Sequence, residues 1–227
     1  MKRRIQVLLT LVIVLAGCGR SEKARQELVT LNIEYSEASF IEHARDGNAD
    51  IVKHFLNAGM NTEVKTKDGQ TALMVAALGN KIDVVKLLLD RGADVNAKSK
   101  YNGTALMSAA WKGHGDVVEL LLNAGPDLSI KDNRGMTALM FAAWENHPSI
   151  VKSLLDKGSE VDARDTNGWT ALMRASFKGH SEVVKTLLEK GADLNATDTT
   201  GKTALNVAGD QNHTEIVQLL KDKGATR

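Results

Sequence analysis

Apolar positions recur along this chain with a fixed phase. Thr-Ala-Leu begins at Thr71, Thr104, Thr137, Thr170 and Thr203, and every interval is 33 residues. Two short apolar stripes follow each occurrence. In the first interval, Leu73, Ala76 and Ala77 form one stripe at helical spacing. Ile82, Val85, Leu88 and Leu89 form the inner side expected of a second helix. Apolar pairs keep the same phase at Ile51-Val52, Val84-Val85, Val117-Val118, Ile150-Val151, Val183-Val184 and Ile216-Val217. A fixed period of this length marks stacked supersecondary units.

Polar and glycine residues punctuate the stripes. Each Thr of Thr-Ala-Leu is placed to cap a helix, its hydroxyl accepting an orphan backbone N–H. Only Gly and Asn occur at positions 80, 113, 146, 179 and 212, as a left-handed turn requires. Gly59, Gly92, Gly125, Gly158, Gly191 and Gly224 stop the second helices. Helices this short are marginal alone, so each unit must bury its face on the next. The pattern predicts an all-α solenoid over 36–227, six stacked helix-turn-helix units at approximately 33–65, 66–98, 99–131, 132–164, 165–197 and 198–227. The first unit, with Ala38, Phe40, Glu42 and His43 off the consensus, reads as one cap. The last, with Asn206, Gly209 and a charged end at Lys221, Asp222, Lys223 and Arg227, reads as the other.

Asp165, Gly168, Thr170-Ala171-Leu172-Met173, Gly179-His180, Val183-Val184, Leu187-Leu188 and Gly191-Ala192-Asp193 together resemble the ankyrin repeat. The resemblance implies helix pairs joined by β-hairpin fingers and stacked into a curved solenoid. It also implies partner contacts at the finger tips and on the exposed side of the first helices. Ala72 stands where the family often has Pro, and Met74, Met107, Met140 and Met173 stand where it often has His. The second departure removes a hairpin-to-helix hydrogen bond, and packing is expected to compensate.

The N-terminus departs from the period. Lys2, Arg3 and Arg4 precede an apolar run, Ile5 to Ala16, of 12 residues. That is short of the ~20 needed to span a bilayer and fits a secretory signal. The run ends Leu15-Ala16-Gly17-Cys18, which resembles the lipobox of bacterial lipoproteins. The resemblance implies that 1–17 is a signal peptide and that Cys18 becomes the lipid attachment site, with a diacylglyceryl thioether and an acylated (palmitate-type) amino group. The expected location is the cell envelope. Gly19, rather than Asp, favours the periplasmic side of the outer membrane in a two-membrane host. Residues 18–35 then read as the lipidated Cys and a polar tether, partly helical over 23–31.

Charge and candidate chemistry narrow the function. The chain has a net charge of +1, and without Lys2, Arg3 and Arg4 its 26 basic residues face 28 acidic ones, a net −2. No nucleic-acid partner is expected from that balance. The single cysteine excludes an internal disulfide and a zinc site built on two thiolates. No Gly-rich phosphate loop is present. His114, His147, His180 and His213 also lie 33 apart. Equivalent positions in stacked helices are separated by roughly 8–10 Å, too far to share a metal at ~2 Å per bond. Their expected role is the family's Gly-His turn, bonded to backbone. No metal, no cofactor and no catalytic set are expected.

The least regular positions point to binding. One column reads Leu78, Trp111, Trp144, Phe177 and Asp210, and the fingers add Tyr101, Met136 and Trp169. Five of the nine aromatic residues fall here, and Trp and Tyr dominate binding hot spots. Lys98, Lys100, Lys112, Lys131, Arg134, Arg164, Arg174 and Lys178 surround them. The expected site is Tyr101, Trp111, Lys112, Arg134, Met136, Trp144, Trp169, Arg174, Phe177 and Lys178, on the concave face. The expected partner is a protein with an apolar anchor in an acidic surface, bound by a monomer whose only membrane contact is its lipid. The alternatives are an envelope scaffold and a glycan or small-molecule binder. An enzyme would need a site the sequence does not display.

Overall fold

The computed structural model describes residues 19–226, so the expected signal peptide (1–17), the lipobox-like run and the expected lipid attachment site Cys18 lie outside the described residues. Thirteen helices and no strand are found among the described residues. They are α1 (Gly19–Thr30), α2 (Glu37–Asp46), α3 (Ala49–Asn57), α4 (Ala72–Leu78), α5 (Ile82–Asp90), α6 (Ala105–Lys112), α7 (Gly115–Asn123), α8 (Ala138–Trp144), α9 (Pro148–Asp156), α10 (Ala171–Lys178), α11 (Ser181–Glu189), α12 (Ala204–Asp210) and α13 (Thr214–Asp222). None of them is long and apolar enough to cross a membrane.

From α2 onward the helices pack as consecutive pairs, and the pairs form two rows. The even-numbered helices α2 to α12 stack on one another, and the odd-numbered helices α3 to α13 form the second row. Close stacking follows from small residues. Ala76, Ala77, Ala109, Ala110, Ala142, Ala143 and Ala175 are fully buried between successive helices. Leu73, Leu106, Leu139 and Leu172 fill the space between the rows, and the four Met residues at the family's His position are buried beside them. Packing therefore occupies the place of the missing hydrogen bond. In the second helices the buried pair is Val84-Val85 with Leu88, while Ile82 is exposed. The expectation that Ile82 faces inward is corrected, because it sits at the first helical position and turns away from the stack.

The capping chemistry is as the residue types require. Thr71, Thr104, Thr137, Thr170 and Thr203 each accept a hydrogen bond from the backbone N–H three residues on. In the last pair, Asn206 returns the favour to the Thr203 backbone and closes a capping box. Ala38 has no hydroxyl, and Ser36 caps α2 instead, so that helix begins earlier in its unit. Asn80, Asn146 and Asn212 adopt positive φ, as do Gly113 and Gly179, in agreement with the turn expected there. Loss of one such cap typically costs about 1 kcal/mol. Thr170→Val is accordingly expected to lower stability by about that amount in urea denaturation, without changing helix content by circular dichroism.

In the loops between pairs, where β-hairpin fingers were expected, the described residues form no strand. One isolated antiparallel bridge, Lys65 with Thr71, is the sole strand-like pairing among the described residues. The tips are tight turns instead, closed by Thr66 N–H to Gln70 O, Asp132 N–H to Met136 O, Asp165 N–H to Trp169 O and their equivalents. Successive tips are also bonded to one another: Lys100 N–H to Asp68 O, Asn133 N–H to Tyr101 O, Thr166 N–H to Arg134 O and Thr199 N–H to Asn167 O, at 3.0–3.1 Å. This lateral contact explains Gly135. A Cβ there would lie 2.7 Å from Thr166 N and 2.9 Å from Asp165 Cα, and its φ is +77°.

The segment read as a polar tether is also different. It forms α1, which packs on α3 and extends the row of odd-numbered helices. Ala24 and Leu28, one helical turn apart, are buried. Ser21 Oγ, Arg25 Nε and Tyr35 Oη all donate to the Ala58 carbonyl, at the C-terminal end of α3 where helical carbonyls lack partners. The Tyr35 ring stacks on Phe55 at 5.6 Å, and the Arg25 guanidinium lies 4.8 Å from the centre of that ring. Ala24 and Leu28 suffice for docking because they share one face of the helix and that face packs on α3, while Val29 stays exposed.

Candidate functional site: an aromatic groove across three helix pairs

The column of irregular residues lies at the C-terminal ends of the even-numbered helices, and the histidines hold it there. His114 Nε2 is 3.1 Å from the Leu78 carbonyl, His147 Nε2 is 3.4 Å from that of Trp111, His180 Nε2 is 3.0 Å from that of Trp144, and His213 Nε2 is 2.9 Å from that of Phe177. A carbonyl only accepts, so each ring nitrogen donates. Each of these histidines, after Gly at 113 and 179 and after Asn at 146 and 212, thus bonds to the column residue of the pair before it. No group of three or more His, Cys, Asp or Glu side chains among the described residues is arranged to hold a metal ion.

Burial lowers the pKa of His180 below its usual 6.5; the bond to Trp144 opposes this, while neighbouring Lys178 and His213 add to it and Glu145 resists it. The folded state therefore favours the neutral ring. The stability this contributes is present above pH 6.5 and is lost as pH falls below it. Thermal melts between pH 7.5 and 5 are expected to show a shallower fall for His180→Gln than for the wild type.

A groove of about 750 Å³ opens along α6, α8 and α10, lined by Trp111, Arg134, Met136, Phe141, Trp144, Glu145, Asp165, Thr166, Asn167 and Arg174. Trp111 is 43% exposed. Its indole N–H donates to Glu145 Oε1 at 2.9 Å, and Lys112 Nζ lies 4.2 Å from its ring centre. Trp144 stacks on Phe177 at 5.8 Å with the rings 10° apart, and Lys178 Nζ lies 4.9 Å from the Trp144 ring centre. Trp169 meets Phe177 edge-on at 5.5 Å and donates from its indole N–H to Asp198. The Arg174 guanidinium sits between the Trp144 and Trp169 rings and pairs with the buried Asp165. The other Asp165 oxygen accepts from the Asn167 and Trp169 backbone N–H groups, so one carboxylate fixes both the loop and the arginine.

Five of the expected residues meet in the groove: Trp111, Arg134, Met136, Trp144 and Arg174. Met136 is only 4% exposed, so it is floor rather than tip. Phe177 and Trp169 stand behind Trp144 as packing partners, and Lys112 and Lys178 flank the rings. Tyr101 is 66% exposed and is not among the lining residues.

The expected basic face is modified. Arg134 pairs with Asp132 at 3.1 Å and Arg174 with Asp165, and Glu145 lies within the groove. Lys131 Nζ donates to the Arg164 carbonyl, and Arg164 to that of Thr197, so this column braces adjacent loops. Phe141, Glu145 and Asp165 were not anticipated as site residues. Phe141 shares the 33-residue column of Arg174, and Glu145 that of Lys112 and Lys178, which is the signal that marks them.

Stacked helix pairs with an open, aromatic-lined groove define a helical-repeat binding scaffold. The family described as Ankyrin repeats (3 copies) matches residues 40–132, 101–165 and 139–226, and the chain belongs to it. No curated protein matches the chain. Membership makes it a protein-interaction module of a family that is typically non-enzymatic.

Proposed function

We propose that this chain is a six-unit ankyrin-repeat module, lipid-anchored through Cys18 in a bacterial envelope, that holds a protein partner in its aromatic groove. The observation that supports this reading best is the groove itself, where Trp111, Phe141 and Trp144 from two successive repeats share one open wall. Rings held in place by stacking lose little entropy when they are covered. Trp111 is the anchor we assign to the partner, because Trp144 and Trp169 are already engaged with Phe177. The partner presents an apolar side chain to the rings, with carboxylates in reach of Lys112 and Lys178 at the flanks. The polar pairs inside the groove then set orientation rather than supply net positive charge.

The test is site-specific photocrosslinking in envelope extract. A photoreactive residue replacing Trp111 is expected to capture a discrete protein that the same residue at the outward-facing Lys86 does not. Equal capture at both positions would reject the groove. A glycan or small-molecule ligand would instead change tryptophan fluorescence with no crosslinked protein at either position.

A further inference from the structure

We infer that the partner enters the groove as an extended stretch of main chain, held by its peptide groups on Glu145, Asn167, Arg174 and the Trp144 indole. This rests on the proposed capture of a protein in that groove and names the form in which it binds. The rings supply an apolar wall, and polar groups beside them stand free. Glu145 Oε1 accepts the Trp111 indole N–H, and Oε2 has no partner among the described residues. Arg174 gives Nη2 to Asp165, while its Nη1 has no acceptor among the described residues and, unlike Nε, is not buried. The Asn167 backbone is bonded on both sides, to Asp165 and to Thr199, but its carboxamide is unbonded among the described residues. The Trp144 indole N–H, unlike those of Trp111 and Trp169, meets no acceptor among them. All four residues line the groove or its adjoining loop.

These groups offer donors and acceptors together. Asn167 offers both, Arg174 and Trp144 donate, and Glu145 accepts. The Arg174 charge is already balanced by the buried carboxylate of Asp165, so Nη1 suits a neutral carbonyl rather than a second carboxylate. In the empty groove water serves these atoms. Covering them with a surface that returns no bonds costs their desolvation. The side of a helix is such a surface, because its N–H and C=O groups are bonded internally. An extended chain brings one free donor and one free acceptor for every residue other than proline, whatever its side chains are. The groove crosses α6, α8 and α10, and at roughly 8–10 Å per helix an extended chain covers it with about five to six residues of ~3.3 Å each. Over that length an apolar side chain meets Trp111 while the main chain meets the polar groups. The bound segment is therefore a loop or terminus of the partner whose peptide groups are not spent in a helix or sheet of its own.

Panning the full-length protein against phage libraries tests this, one library of linear dodecapeptides and one of a helical bundle randomised over a single exposed helix face. Clones retained by the wild type and lost on Trp111→Ala are expected from the linear library and not from the helical one. A synthetic copy of the best linear clone is then titrated. Glu145→Gln keeps an oxygen for the Trp111 indole and turns an N–H toward the peptide, so binding is expected to weaken roughly tenfold or more. N-methylation at one peptide bond is expected to cost as much in the wild type and almost nothing further in Glu145→Gln. Trp111-dependent clones from the helical library, or N-methylation that costs nothing at any position or adds in full to Glu145→Gln, would overturn the extended segment and leave the groove as the site. No Trp111-dependent clone from either library would overturn both.

Discussion

Cys18→Ser is expected to move essentially all of the protein from the membrane fraction to the soluble fraction. The argument is one of scale. A single acyl chain binds membranes only marginally and reversibly, whereas several chains on one residue, at about 0.8 kcal/mol per buried methylene, anchor stably. Serine cannot form the thioether, and with no membrane-crossing helix among the described residues no described element replaces the lipid. A high-salt wash separates the outcomes: the wild type stays with the membrane and the variant does not. A variant that remained membrane-bound after the wash would reject the lipoprotein reading.

Leu139→Ala is expected to destabilise the fold by about 2–5 kcal/mol, measured by urea denaturation. Leu139 lies in α8, in the middle of the stack, and is 1% exposed. Its helix packs on α9 of its own pair and on α6 and α10 of both neighbours, so a cavity there has walls from three pairs. In a solenoid the energy is a sum of unit and nearest-neighbour terms, and a central residue enters two interfaces. Leu205, in α12, is only partly buried, and among the described residues no helix pair packs beyond its own. Its replacement by alanine is expected to cost less than half as much. Hydrogen exchange should quicken first across α6–α10, which include the three helices that line the groove, α6, α8 and α10. Equal effects at positions 139 and 205 would contradict the nearest-neighbour account.

The repeat was legible because its residues answer local demands that recur every 33 positions. A threonine hydroxyl must cap, a left-handed turn must take Gly or Asn, and facing helices need alanine to approach. Those demands place the caps at Thr71 to Thr203 and the turns at 80 to 212. What escaped notice depends on contacts between units. Partial helix over 23–31 was legible in the tether, but its docking was not, because the burial of Ala24 and Leu28 comes from α3 and not from the segment's own pattern. The loops look like hairpins in sequence; each tip is closed by a bond across the loop and also bonds sideways to the next tip, and the described residues form no strand ladder there.

The site divides in the same way. Trp111, Trp144 and Phe177 stood out as large residues in a variable column. The carboxylates among the basic residues did not. Asp165 belongs to the turn signature, and only the fold shows that its second oxygen holds Arg174. Glu145 sits between Lys112 and Lys178 in its column, and the indole of Trp111 claims it. A cluster that reads as basic along the chain is close to balanced inside the groove.

The most direct test of the account is the affinity of the captured partner, measured by isothermal titration against wild type and Trp111→Ala. Trp111 is the most exposed ring of the groove, so its loss should leave the melting temperature nearly unchanged. A hot-spot tryptophan contributes about 2 kcal/mol or more, which predicts roughly 30-fold weaker binding. An unchanged Kd for a variant of equal stability would contradict the groove as the binding site.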